Sequence, residues 1–241
     1  MLYYFSKSWE NCHACRVGIY SSLNIFTQDK GQNRMENLIE LTLMRHGRSR
    51  ADDENVHEGR YDSPLTEVGR EQVTRRAEHW LAEGVSFDAI IASTLQRAHE
   101  SARIIGRILG ASVETDPDWM EFNNGPLAGL TFEEANRLYP MPAFRNLYEP
   151  FHGSGESEWE FHSRAARGVQ SVVRRGTGRY LVVAHGGTLN MALRVIVGTP
   201  PVVMRQGIQF AFEDAGFARL SYYPGKHVWV LREMQPGFTV L

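Results

Sequence analysis

Short apolar runs alternating with capped, amphipathic stretches constrain this chain more than any other feature. Leu38–Met44, Phe87–Ala92 and Tyr180–Ala184 are brief and rich in strand formers, which reads as buried strands. Between them lie helical patterns: Thr66, an N-cap, to about Leu81; Leu95–Leu109, stopped by Gly110; and Thr131–Leu138, halted before Pro140. Ser157–Arg175 and Thr188–Val197 are two more. Ala111–Glu114 and Ile208–Phe212 read as further strands, and Phe217–Tyr223 with Val228–Arg232 as a hairpin over Pro224, Gly225 and Lys226. Residues 45–65 read as one long polar loop and 140–155 as a loop of Pro, Gly and aromatics. The alternation predicts an α/β fold, a three-layer α/β/α sandwich with a mostly parallel central sheet and an antiparallel edge.

A chain of 241 residues has room for one large domain or two small ones, at roughly 150 residues each. With 26 basic and 28 acidic residues the net charge is −2, which excludes a nucleic-acid binder working through bulk basic charge. No apolar run approaches the ~18 residues of a spanning helix, so no membrane segment is expected. The only cysteines, Cys12 and Cys15, form a C-x-x-C without a second ligand pair or a surrounding strand–helix pattern. An incidental pair in a reducing, cytoplasmic setting is the expectation. Residues 1–36 carry no sustained period and no signal-peptide pattern. Met35 precedes the first convincing strand, so residues 1–34 are expected to lie upstream of a later start. Residues 1–36 are then a poorly ordered extension, and 37–241 a single catalytic domain.

In open α/β sheets ligands bind beyond the carboxyl ends of the strands. Three predicted strands end in reactive residues: the first in Arg45 and His46, the second in Ser93 with Arg97 one turn on, and Tyr180–Ala184 in His185, Gly186 and Gly187. Two arginines and a helix N-terminus form a phosphate pocket, because guanidinium matches phosphate oxygens bidentately and stays charged. A neutral imidazole there is a nucleophile for phosphorus. Neighbouring cations keep its lone pair free, and a backbone carbonyl on the other ring nitrogen would hold the tautomer. The expected product is a phosphohistidine, with arginines doing the charge work that Mg²⁺ does in kinases. The sequence holds no H-x-x-E-H, H-E-x-x-H or H-x-H, no Arg six positions beyond either cysteine, no G-x-x-x-x-G-K-[ST] and no G-x-S-x-G. Neither a metal nor a cofactor is expected.

The motifs then fall in a known order. Leu43–Gly47 carries R-H-G, and Gly59–Gly69 reads G-x-x-D-x-P-L-T-x-x-G. Ser93–Ala98 reads S-x-x-x-R-A. Glu121, Gly125, Gly129 and Thr131 read E-x-x-x-G-x-x-x-G-x-T, and Gly155–Ser157 and Val183–Gly187 complete the series. Over residues 38–232 the chain resembles the histidine phosphatase superfamily, in its phosphoglycerate-mutase-like branch. The resemblance implies His46 as nucleophile, Arg45, Arg97 and His185 as phosphate clamp, and Glu121 as general acid and then base. It further implies the Gly186 N–H as part of the clamp and Ser49 as a phosphate contact, with Arg60 a further candidate for substrate contact.

Some positions depart from that pattern. Asp52 stands where the family often has Asn, and a carboxylate there is expected to face Arg48, Arg50 or Arg60. Val56 replaces an arginine of the mutases, and their basic insertion after the acid is absent or shortened. Residues 122–156 are the expected lid, with Phe122, Asn123, Asn124, Phe144, Arg145, Tyr148 and His152 as selectors, and with His57 also at the mouth. These features favour hydrolysis of a small phosphorylated metabolite without metal, by a protein of a family that also forms homodimers. A phosphoglycerate mutase and an inactive phosphate-binding protein are the alternatives.

Overall fold

The computed structural model describes residues 37–203 and 207–238; the Cys12–Cys15 motif lies outside them. One sheet holds six strands: β1 (Ile39–Arg45), β2 (Ala89–Ala92), β3 (Val113–Thr115), β4 (Gly178–Ala184), β5 (Phe217–Tyr223) and β6 (Val228–Gln235). Their order is β3-β2-β4-β1-β5-β6. The first four run parallel, and β5 and β6 add the antiparallel edge. The helices are α1 (Arg50–Glu54), α2 (Glu67–Ala82), α3 (Gln96–Leu109), α4 (Phe132–Leu138), α5 (Glu158–Val173) and α6 (Gly186–Ile196).

The period of two in each strand builds the layers. Along β4, Leu181 and Val183 join one apolar cluster with Val73, Ala77 and Trp80 of α2 and Ala98, Ala102 and Ile105 of α3. Tyr180, Val182 and Ala184 point the other way, into a cluster with Val169 and Val172 of α5 and Leu189 and Ala192 of α6. Central strands buried on both faces account for the continuous apolar runs. Thr66 caps α2 by accepting from the Gly69 N–H at 3.0 Å. Ser157 and Glu160 form a capping box at the start of α5, and Gly110 ends α3 with φ of 69°.

The structure corrects the sequence reading in two places. Residues 208–212 are not a strand. Their carbonyls are taken by side chains instead of a sheet neighbour: Ile208 by Arg194, Phe210 by Asn190 and Phe212 by Arg45. The loop over 45–65 contains the short helix α1, whose charged sequence lacks an apolar stripe to announce it. Among the described residues, no helix is long and apolar enough to cross a membrane.

Candidate active site

Because β1, β2 and β4 run parallel, their carboxyl ends open side by side. β1 delivers Arg45 and His46, the β2–α3 turn delivers Ser93 and Arg97, and β4 delivers His185 as the N-cap of α6. The backbone passes closely here: a Cβ on Gly47 would stand 2.3 Å from the Gly69 carbonyl oxygen, so R-H-G requires its glycine.

The side chains of His46, Arg97 and His185 are buried. His46 Nδ1 donates to the Gly47 carbonyl at 2.7 Å, which leaves Nε2 as the acceptor nitrogen. That Nε2 receives Arg97 Nε at 3.2 Å. Arg97 is fixed by the Tyr61 and Gly59 carbonyls, each at 2.9 Å. The His185 ring stands 5.1 Å from that of His46, centroid to centroid, with Nε2 on Ser93 Oγ at 2.8 Å. Burial, followed by the charges of Arg97 and Arg45, holds His46 well below the usual histidine range. Burial and the Arg97 charge do the same to His185. Both imidazoles are therefore neutral at physiological pH. His185 Nδ1 and Arg45 Nε are buried without a protein partner.

Glu121 reaches this cluster from the far side. Its carboxylate accepts the Gly187 N–H at 2.9 Å and its neighbour Phe122 N–H at 2.7 Å. It lines a cavity of about 710 Å³ together with Arg45, Gly186 and Phe122. Among the described residues, no group of three His, Cys, Asp or Glu side chains is placed to hold a metal ion.

Other expected residues fall elsewhere. Ser49 is buried, caps α1 and engages Asp52 and Glu58. Arg60 donates to the Glu121 carbonyl at 3.4 Å and lies 3.9 Å from Glu156, supporting the acid from behind. Asp52 faces Arg45 at 3.5 Å, not the expected arginines; Arg48 is taken by Asp53 at 2.7 Å and Arg50 by Glu54 at 3.0 Å. Of the expected lid residues, Phe122, Asn124 and Arg145 line the cavity. Phe144 and Tyr148 are exposed, at 78% and 63%, and His152 packs edge-on against Phe151, with ring centroids 4.5 Å apart. Asn123 instead binds Glu156 through its backbone. His57 lines the cavity, as do residues the sequence reading passed over, among them Glu58, Tyr139, Gln209 and Arg194. The Glu58 signal was its place next to Gly59 of a recognised motif.

Comparison with known proteins points to one family. The family model of the histidine phosphatase superfamily (branch 1) matches residues 41–235. A probable phosphoglycerate mutase GpmB of Yersinia enterocolitica is 31% identical over 192 residues, 77% of this chain and 86% of that protein. The solved structure of Bacillus stearothermophilus YhfR is similar at 26% identity and a TM-score of 0.70, covering 83% of this chain and 98% of that one. A mycobacterial glucosyl-3-phosphoglycerate phosphatase shares the fold at a TM-score of 0.70 and 22% identity, with 83% and 100% covered.

Proposed function

The chain belongs to the histidine phosphatase superfamily, and we propose that within it the protein is a metal-independent phosphomonoesterase working through a phosphohistidine. The observation that carries this reading is His46: a buried, neutral imidazole whose Nδ1 is tied to a carbonyl and whose Nε2 faces a guanidinium. Arg45, Arg97, His185 and the Gly186 N–H hold the phosphoryl oxygens. His46 Nε2 forms a bond to phosphorus as the ester oxygen leaves, and Glu121 gives that oxygen a proton. Water then attacks the phosphohistidine, Glu121 takes the water's proton, and inorganic phosphate departs. The guanidinium groups and the α6 N-terminus carry the equatorial charge throughout.

A cavity of about 710 Å³, apolar at Phe122 and Phe151 and cationic at Arg145, suits a small phosphorylated metabolite. Arg145 is buried, lies over the Phe151 ring at 4.4 Å, pairs with Glu158 at 3.7 Å and keeps an unpartnered Nη2, which suits it to meet a polar group on the leaving part of a substrate. The names of the GpmB relatives favour a second reading, phosphoryl transfer between hydroxyls of a phosphoglycerate.

Phosphate release from an aryl phosphate in excess chelator separates these readings. Wild type is expected to turn over and His46→Ala to be inactive. A chelator-sensitive activity, or one surviving in His46→Ala, contradicts the proposal. Phosphoglycerate isomerisation that needs a bisphosphorylated primer, without net release, supports the mutase reading.

A further inference from the structure

One carboxyl group stands where the mechanism needs an anion. Glu58 Oε1 lies 3.1 Å from Arg97 Nε, accepts a hydrogen bond from Ser49 Oγ and sits 3.4 Å from Ser63 Oγ. Its Oε2 lies 3.7 Å from His46 Nε2, the nitrogen that must reach phosphorus. Glu58 lines the cavity, whereas His46, Arg97 and His185 are fully buried and lie outside its lining. Its carboxyl thus makes contacts that a phosphoryl group would make.

The charges around it are already matched. Arg97 faces Glu58 from α3, and Arg45 at the end of β1 lies between Asp52 of α1, at 3.5 Å, and Asp214, at 3.7 Å. His46 and His185 are neutral. Three carboxyls surround two guanidinium groups, so a phosphate dianion would enter a site without surplus positive charge. The Ser49 hydroxyl is shared between two carboxyls. It has one hydrogen, yet Oγ is in hydrogen-bond contact with both Glu58 Oε1 and Asp52 Oδ2, the latter at 2.9 Å. Asp52 Oδ2 also accepts the Ser49 N–H at 2.8 Å. That single hydrogen serves one of the two carboxyls at a time. Burial raises Glu58 above the usual carboxylate range.

We propose that Glu58 is a proton-linked gate on the nucleophile: its carboxyl holds the phosphoryl position over His46 and admits a dianion only when it takes a proton from solvent. The neutral acid then donates to a phosphoryl oxygen, and the proton returns to solvent as phosphate leaves. This inference rests on the phosphate reading of the site. It adds that substrate affinity falls as pH rises.

The test is calorimetric binding of inorganic sulfate, a tetrahedral dianion that does not titrate in this range, to the full chain from pH 5 to 8. Buffers of different ionisation enthalpy count the protons taken up. Wild type is expected to take up about one proton more than Glu58→Gln, whose amide keeps the size and a donor. Relative to that variant, its Kd should rise about tenfold per pH unit above the Glu58 pKa. At pH 8 Glu58→Gln should bind sulfate more tightly than wild type, by a margin that widens with pH. If Glu58→Gln does not fold, Glu58→Ala removes the same proton. Equal proton uptake with parallel pH profiles overturns the gate while the anion site stands. Absence of sulfate binding in both proteins at every pH overturns the gate together with the phosphate reading.

Discussion

The Nδ1 proton of His46 is committed to the Gly47 carbonyl, and that one bond decides which nitrogen can attack. Arg97 then serves twice, adding its charge to burial in keeping the ring neutral and, in the proposed reaction, gripping the phosphoryl group. Glu121 shows the same economy. The Gly187 and Phe122 N–H groups aim its carboxylate, and Gln at this position would bring an amide against those two donors. Glu121→Gln is expected to lower kcat on alkyl phosphates by about 10²–10⁴-fold, the range for losing a general acid. The loss on an aryl phosphate, whose leaving group needs little protonation, should be much smaller. Equal losses on both substrates in steady-state assays would remove Glu121 from the acid role.

At the scale of elements, the β4–α6 turn carries the most chemistry per residue. His185 caps α6, Gly186 lies beside Arg45, and a Cβ on Gly187 would fall 2.5 Å from Glu121 Oε1. Gly187→Ala should therefore displace the acid and lower kcat by roughly 10–100-fold, the scale of a misplacement near 1 Å. Its melting temperature should change little, since alanine suits a helix. A large fall in melting temperature with unchanged kcat would contradict this. The elements were legible where local signals agree with tertiary context. Thr66 and Gly110 mark real helix ends, and β1, β2 and β4 are apolar because both faces are covered. Residues 208–212 were misread because their apolar character reflects packing of Phe210 and Phe212 on the core, while Arg194, Asn190 and Arg45 take the carbonyls a strand would share.

Across the whole molecule, the site trades stability for a pair of neutral buried histidines. In the unfolded chain His185 binds a proton near pH 6.5, but in the fold it stays neutral to well below that, so stability is lost as pH falls through the unfolded value. His185→Asn should reduce the acid-side slope of unfolding free energy by up to about 1.4 kcal/mol per pH unit, read by urea unfolding between pH 7 and 5. An unchanged slope would mean that His185 is charged in the fold. Glu58 and Asp214 act with the opposite sign, because burial raises both, so the wild-type slope is a balance and the difference between variants is the clean quantity. The sequence carried Arg45, His46, Arg97, Glu121 and His185 because each sits in a motif at a strand end or turn. Glu58 escaped notice because its meaning depends on Arg97 and Ser49 meeting around it, contacts that only the fold creates. The measurement closest to the central claim is a rapid quench into base during turnover of an excess of phosphorylated substrate, followed by peptide mass spectrometry. The account predicts an added phosphoryl group on His46, stable in base, lost in acid and absent from His46→Ala. Turnover without any phosphorylated His46, or with the group on another residue, would contradict it.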